Sequence, residues 1–150
     1  MAIGLNNVTV VGNLTRDPEL RFTPNGTAVS SFGIAVNKRI QNKESGEWTN
    51  SADFFNVVTW FKLAENCAES LSKGDRVLIS GRLSQDSWDD KDGQKRSSYR
   101  IIANIVAPSL EFAKCKIEKN PRTEIQTGPI ESKESGIEED LDFSEEDIPF

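Results

Sequence analysis

The chain has 150 residues, which is enough for one domain with its own hydrophobic core and an appended segment. It contains no histidine, which excludes catalytic triads and metal sites that use an imidazole. Its two cysteines, Cys67 and Cys115, form no C-x-x-C pair. Residues 1–118 carry 15 Lys and Arg against 14 Asp and Glu, whereas residues 119–150 carry 3 against 10. The net charge of −6 therefore belongs to the C-terminal segment, and it does not exclude a nucleic-acid ligand for the rest of the chain.

The first half of the chain predicts three β-strands. Residues 8–14 are β-branched and predict a strand, with a bulge or a close approach at Gly12. The Pro24-Asn25-Gly26 turn leads into a second strand, in which apolar residues alternate from Phe32 to Val36. A polar segment with a turn at Ser45-Gly46 then precedes a third strand, residues 52–61, so aromatic that both its faces require cover.

The second half predicts one helix and two further strands. Apolar residues recur at helical spacing from Leu63 to Leu71, and Lys73-Gly74-Asp75 indicates a basic last turn and a glycine stop. Alternation then predicts a strand over residues 77–83, a turn at 89–93 and a last strand over 99–105. Three strands, a helix and two strands predict an all-β fold, a five-stranded OB-fold barrel with one short helix between strands 3 and 4.

Periodicity stops after the last strand, and Gly, Pro, Ser and acidic residues dominate from Glu118 onward, which predicts a disordered acidic C-terminal tail. This composition predicts three parts: a barrel domain over residues 1–116, a flexible linker over 117–143 and an acidic tip over 144–150. No apolar run approaches the roughly 20 residues that span a bilayer, and the N-terminus lacks a basic leader region. We therefore expect a cytoplasmic protein with no membrane partner and reduced cysteines.

The residues present do not predict catalysis. The acidic residues are scattered or lie in the tail, no glycine loop is suited to a phosphate, and no nucleophile has a plausible base. Asp89–Gly93 resembles a calcium loop but lacks the spaced ligands and the closing Glu, so we interpret it as a hairpin turn. We expect no enzyme activity, no cofactor and no metal.

Aromatic residues interleaved with cations form the clearest functional pattern. Sequence-independent binding of single strands requires rings on which any base can stack and a basic groove for the phosphates. The candidate stacking residues are Phe54, Trp60 and Trp88, with Trp48 nearby, and the candidate phosphate-binding residues are Arg21, Lys38, Arg39, Lys43, Lys62, Lys73, Arg82 and Arg96. The alternative is that aromatic residues fill the core, which we expect of Phe32 and Phe61 because barrels need large interior residues. Trp88 lies beside a polar hairpin tip, which favours a ligand-facing role.

The chain ends in Glu145-Glu146-Asp147-Ile148-Pro149-Phe150, in which an apolar group follows a run of negative charge. Proline lowers the cost of ordering the segment on a partner, while Phe150 offers a ring to an apolar pocket and a carboxylate to a basic rim. These residues predict a handle for other proteins. The alternative is a tail that only keeps the protein soluble.

The sequence resembles the bacterial single-stranded DNA-binding proteins (SSB) from about Val8 to Ser109 and again at the Ile-Pro-Phe end. The residues that carry the resemblance are Val10–Leu14, Asp17-Pro18-Glu19 with Arg21, Pro24-Asn25-Gly26, Lys62–Glu65, Lys73-Gly74, and Val77 with Gly81. The resemblance implies stacking on Phe54, Trp60 and Trp88. It places Ile40 where the family has a further aromatic ring, so Trp48 is the candidate replacement. Positions that are often basic in the family are Asn7, Asn56, Ser84 and Asp86 here.

The resemblance also implies an assembly and a biological setting. Family members form homotetramers, with subunit contacts near Phe55, and residues 108–116 form either an extra strand that clasps a neighbour or the start of the tail. The implied role is to coat single-stranded DNA at the nucleoid in replication, recombination and repair after DNA damage, and to recruit enzymes of these processes through the tip. As a coil, the linker has a reach on the order of 30 Å. We therefore hypothesise that the tip competes with DNA for the basic groove.

Two other functions remain open at this point. One is an OB-fold protein that prefers RNA or acts in DNA uptake, since stacking faces do not distinguish DNA from RNA unless the 2′-hydroxyl is read. The other is an interaction adaptor, whose acidic tail does the work and whose barrel is only a structural core.

Overall fold

The structure is a computed structural model that describes residues 1–122 of the chain. Residues 123–150, which include most of the predicted linker and all of the acidic tip, lie outside the described residues. The compact unit Met1–Lys116 contains six strands and one helix. They are β1 (Val8–Leu14), β2 (Glu19–Phe22), β3 (Ala28–Gln41), β4 (Trp48–Trp60), α1 (Phe61–Ser70), β5 (Arg76–Asp89) and β6 (Lys95–Pro108).

Five of the strands close into a barrel. The sheet runs β1-β5-β6-β4-β3, and β1 pairs with β3 as well as β5, so the first and last barrel strands meet. β4 and β6 are paired in parallel, and the other pairs are antiparallel. α1 lies between the third and fourth barrel strands, β4 and β5, and the predicted OB-fold barrel is confirmed. The short β2 adds to the outer edge of β3.

Alternating apolar side chains fill the barrel. Phe32 and Ile34 of β3 and Val57 of β4 are fully buried, as are Val77 and Ile79 of β5 and Ile101 of β6. Cys67 on α1 is buried against the same core, and burial raises the pKa of its thiol to about 11, an effect that a hydrogen bond with Thr59 partly offsets. Phe55 is half-buried and packs on the core.

Two close approaches between strands require glycine. A Cβ at Gly12 would lie 2.5 Å from the Ala35 carbonyl oxygen, which confirms the predicted close approach in β1. A Cβ at Gly81 would lie 2.0 Å from the Ile102 carbonyl oxygen, at the register shift where β5 bulges against β6. Residues without a side chain therefore let the strands bend around a narrow barrel.

The structure corrects three details of the sequence predictions. Phe61 is 70% exposed and does not enter the core, because its backbone has φ +60° at the start of α1 and leaves the strand direction there. Lys73 is not in the last turn of α1, since the helix ends at Ser70 and the left-handed Gly74 belongs to the following turn. The polar segment after Val36 is mostly strand, because cross-strand pairing from Lys38–Ser51 to Gln41–Trp48 satisfies its backbone hydrogen bonds without a core.

Both long hairpins extend beyond the core. None of residues 37–52 in the β3–β4 hairpin and none of residues 82–100 in the β5–β6 hairpin is buried. Their turns contain Gly46 and Gly93, each with positive φ, which confirms the predicted turns at 45–46 and 89–93. The molecule therefore presents two exposed polar ribbons on the same barrel.

Candidate functional site

Three of the four predicted stacking side chains lie on one face of β4. Val57 and Thr59 are fully buried, so the odd positions of this part of β4 face the core. Trp48, Phe54 and Trp60 occupy even positions and point to the opposite face, which we call the outer face. Trp48 and Phe54 are 57% and 73% exposed, and Trp60 is half-buried. Each is six residues from the next, a spacing of about 20 Å along the strand.

The outer face continues across neighbouring strands. Directly paired residues share a face of the sheet, and Trp60 pairs with Val29, which in turn pairs with Arg21 of β2. In the next row, Val58 is flanked by Ser31 of β3 and Ile102 of β6, and Ile102 pairs with Arg82 of β5. Arg21 and Arg82 therefore lie on the same continuous surface as the aromatic row.

Trp88 joins this surface from the β5–β6 hairpin. Leu83 pairs with the fully buried Ile101, so the alternate positions of β5, including Arg82 and Trp88, point outward. Trp88 is 50% exposed and pairs with Arg96. Trp88 therefore points outward beside Arg96, while its ligand-facing role stays a prediction.

The cations of the outer face differ in how they are neutralised. The Arg39 guanidinium lies over the Trp48 ring, 5.5 Å from its centroid, so its charge and the ring form one unit. Arg21 pairs with Glu19, and Arg96 donates to Asp90 at 3.0 Å. The Arg96 guanidinium, with help from backbone donors, lowers the pKa of the Asp90 carboxyl. Arg82 pairs with no carboxylate among residues 1–122.

The structure does not place the four predicted phosphate-binding lysines on the outer face. Lys38 forms an ion pair with Asp53 on the opposite side of the β3–β4 ribbon. Lys62 pairs with Glu65 on α1 at 3.1 Å, while Lys43 and Lys73 lie in turns. Lys38 and its neighbour Arg39 are separated because adjacent residues of a strand point to opposite faces.

Trp48 does not occupy the place of Ile40. Ile40 pairs with Thr49 and shares a face with Lys38, whereas Trp48 pairs with Gln41 and lies on the outer face. Trp48 instead extends the line of Phe54 and Trp60 toward the end of the hairpin.

Arg16 is a cation of the outer face that the sequence analysis missed. It follows β1, and its Nη1 lies 3.5 Å from the point that a Cβ of Gly33 would occupy. Gly33 lies opposite Asn56 in the β3–β4 ladder, between the rows of Phe54 and Trp60. No motif marked this loop arginine, although an outward-facing glycine within a strand is a signal of close approach.

The segment after β6 is held on the barrel by Arg76. Its guanidinium donates to Glu111 at 2.8 Å and lies 5.9 Å from the centroid of the Phe112 ring. Residues 109–116 form no strand within this chain. The Phe112 ring is 83% exposed, so its outward side is open in a single copy.

The geometry of the outer face supports binding. Residues 1–122 contain no cluster of three or more His, Cys, Asp or Glu side chains placed to hold a metal ion. No helix in this part of the chain is long and apolar enough to span a membrane. Exposed rings in a line, with cations beside them, can stack planar groups and neutralise anions.

Comparisons with known proteins agree with this geometry. Residues 5–112 match the model of the single-strand binding protein family. The single-stranded DNA-binding protein of Corynebacterium glutamicum is 50% identical over 123 residues, covering 81% of this chain and 55% of that protein. The protein of the same description from Mycobacterium bovis is 45% identical over 121 residues, covering 80% of this chain and 74% of that protein. This chain thus spans about half the length of the Corynebacterium relative.

A solved structure shows the same fold. The chain resembles one described as a Plasmodium falciparum SSB complex with ssDNA, with a TM-score of 0.67 at 20% identity, covering 73% of this chain and 98% of that one. The family match extends from Leu5 to Phe112 and includes the four aromatic side chains of the outer face. The chain therefore belongs to the single-strand binding protein family.

Proposed function

We propose that this protein binds single-stranded DNA without regard to its sequence, by stacking bases on Trp48, Phe54, Trp60 and Trp88. Phosphates are neutralised by Arg21, Arg39, Arg82 and Arg96 of the same face. The observation that carries the proposal is the shared outward direction of these side chains across β2, β3, β4, β6 and β5. A ring stacks on any base, so this surface selects for exposed bases and not for their order.

The shape of the surface favours single strands over duplexes. Bases within a duplex are stacked on one another, so their faces are not available to Trp48 or Phe54. The exposed fractions of Phe54 and Trp88, 73% and 50%, leave each ring open to a base without rearrangement of the barrel. The names of the relatives in C. glutamicum and M. bovis support the same ligand.

Membership of the family supports a wider role. We propose that the protein acts as a homotetramer in the cytoplasm, on the nucleoid, and coats DNA during replication, recombination and repair. Several barrels in one assembly lengthen the bound strand and multiply its affinity. Partner enzymes are recruited through Glu145–Phe150, a segment outside the described residues, in which Ile148 and Phe150 supply the apolar contacts.

The proposal is tested by titrating the full-length protein with oligo(dT) while its tryptophan fluorescence is recorded. All three tryptophans of the chain lie on the outer face, so stacking is expected to quench the emission strongly. Duplex DNA is expected not to compete. Trp60→Ala combined with Trp88→Ala should weaken binding, while circular dichroism checks that the barrel is intact.

Other outcomes separate the alternative functions. Tighter binding of oligo(rU) than oligo(dT) would identify an RNA-binding protein. No quenching by either oligonucleotide would contradict the proposal and leave the adaptor function, which requires only the acidic tip.

A further inference from the structure

Arg16 lies on the outer face beside Gly33, and its loop packs there because position 33 has no side chain to clash with Thr15. We propose that Arg16 binds a phosphate of the DNA between the bases stacked on Phe54 and Trp60. This inference rests on the proposed function and adds a contact that the stacking pattern alone does not contain.

Gly33 leaves the space on the sheet that the loop with Arg16 occupies. It lies in β3 between Phe32 and Ile34, both fully buried, so its own side-chain direction is outward. A Cβ there would lie 2.4 Å from the Thr15 hydroxyl oxygen and 3.5 Å from Arg16 Nη1. The Thr15 N–H donates to the Gly33 carbonyl at 2.9 Å, which fixes the start of the loop beside β3. The clash falls on Thr15, whereas 3.5 Å is ordinary van der Waals contact. The absence of a side chain at position 33 therefore lets Thr15 pack on the sheet, and the guanidinium of the following residue, Arg16, lies beside Gly33.

Gly33 lies on β3, beside the line that joins the two stacking rings of β4. Gly33 pairs with Asn56, which is two residues from Phe54 and four residues from Trp60 along β4. At about 3.3 Å per residue, these separations correspond to roughly 7 Å and 13 Å. A single DNA strand whose bases stack on both rings passes its sugar-phosphate backbone beside Arg16.

The charge of Arg16 is available for a ligand. Arg16 is exposed, and within the part of the chain that the structure describes its side chain makes no hydrogen bond and no ion pair. Arg21 and Arg96, by contrast, must exchange Glu19 and Asp90 for a phosphate. A guanidinium can bind phosphate oxygens in a bidentate arrangement and stays charged at all working pH values. Arg16 therefore gains a partner on DNA binding without losing one.

The test measures the affinity of the full-length protein for oligo(dT) as a function of salt concentration. Arg16→Gln is expected to reduce the magnitude of the slope of log K against log salt by about 0.7, the loss of one phosphate contact to a single strand. Arg16→Lys keeps a positive charge and should retain the slope. Lys95→Gln is the matched control, because Lys95 pairs with Asp89 on the hairpin face opposite Trp88 and should leave the slope unchanged.

The outcomes distinguish this contact from the proposed function. If the parent protein binds oligo(dT) and Arg16→Gln leaves the slope unchanged, the contact is wrong while the function stands. An equal loss of slope in Lys95→Gln would also overturn it, since the effect would then be one of overall charge. If the parent does not bind oligo(dT), the proposed function itself fails.

A second variant tests whether Gly33 is needed to position Arg16. Gly33→Val fills the space against Thr15 and Arg16, so Arg16→Gln should have no further effect on the slope in that background. If Arg16→Gln lowers the slope as much in the Gly33→Val protein as in the parent, Gly33 is not needed to place Arg16 against the DNA, and this part of the inference is overturned. Arg16→Gln alone still tests the phosphate contact if Gly33→Val does not fold, because Arg16 is exposed.

Discussion

Two exposed aromatic side chains of the β5–β6 hairpin offer a direct test of which face binds DNA. Trp88 is 50% exposed on the outer face, and Tyr99 is 56% exposed on the opposite face, where it pairs with Gln85. Trp88→Ala is expected to weaken oligo(dT) binding by about 1–3 kcal/mol, or about 5- to 150-fold, through the loss of one stacked base. Tyr99→Ala removes a ring of similar exposure and should leave the affinity unchanged. Equal losses in the two variants, measured by fluorescence titration, would contradict the assignment of the outer face.

Phe61 carries backbone strain that glycine would remove. Its φ of +60° lies in the left-handed region, which costs about 1–2 kcal/mol for a residue with a Cβ. The ring is 70% exposed, so its removal loses little packing. Phe61→Gly should raise the free energy of unfolding by about 0.5–1 kcal/mol, because the greater freedom of glycine in the unfolded chain offsets part of the relief.

Phe61→Ala provides the control for that change. It removes the same ring but keeps the Cβ, so it should not gain the stability of the glycine variant. Urea unfolding of the two variants separates backbone strain from the loss of the ring. A glycine variant less stable than the alanine variant would show that φ at this position is not strained.

Phe32 and Phe61 show what residue patterns can and cannot predict. Alternation placed Phe32 in the core correctly, because a strand alternates its faces regularly. The expectation that Phe61 fills the core rested on the need of a barrel for large interior residues, and it was wrong because the chain changes from strand to helix there and α1 sets the backbone direction. A periodic pattern carries no information about the residue at which its period changes.

At the level of the elements, the order of strands and helix was predictable but their lengths were not. Apolar alternation ends near Val36, whereas β3 continues to Gln41 and β4 already begins at Trp48. The extension depends on cross-strand hydrogen bonds, which do not require apolar side chains. The length of β3 also explains the misplaced lysine: once the strand is continuous to Gln41, alternation puts Lys38 on the same face as the buried Phe32 and Ile34 and away from the outer face.

The even spacing of Trp48, Phe54 and Trp60 was a usable signal. Residues separated by even numbers share a face of any regular strand, so the common face of Phe54 and Trp60 followed from the strand predicted over residues 52–61. Trp48 joins that face only because β4 already begins at Trp48. The contribution of Arg16 could not be predicted in the same way. It depends on the path of the loop after β1 and on a contact with Gly33, 17 positions further along the chain.

The bulge between β5 and β6 makes Gly81 essential to barrel closure. A Cβ at this position would lie 2.0 Å from the Ile102 carbonyl oxygen and 2.8 Å from the Ala103 Cα, both of which belong to the backbone. Gly81→Ala must therefore shift β6, and we expect a loss of about 3 kcal/mol in the free energy of unfolding. Gly4→Ala is the control, since a Cβ there meets nothing within 4 Å. Thermal or urea unfolding that gives the same stability for both variants would contradict the close approach.

On the scale of the whole molecule, charge is divided between two parts of the chain. Residues 1–118 carry a net charge of +1, and residues 119–150 carry a net charge of −7. The cations of the outer face include Arg82 and Arg16, which have no carboxylate partner among residues 1–122. Opposite charges joined in one chain attract at low salt, and the attraction is screened as salt rises. We propose that the acidic tail and DNA compete for the same cations.

Truncation after residue 137 tests this competition, because it removes seven of the ten acidic residues of the tail. The affinity for oligo(dT) is expected to rise several-fold at low salt and to converge on that of the parent protein as salt screens the charges. Ile148→Ala with Phe150→Ala is the matched control, since it removes the apolar groups of the tip and keeps every acidic side chain. This double variant should bind DNA like the parent but lose partner enzymes, because the two apolar side chains are the proposed contacts of the tip. An unchanged low-salt affinity in the truncated protein would show that the tail does not compete with DNA, and the tip would then serve partners alone.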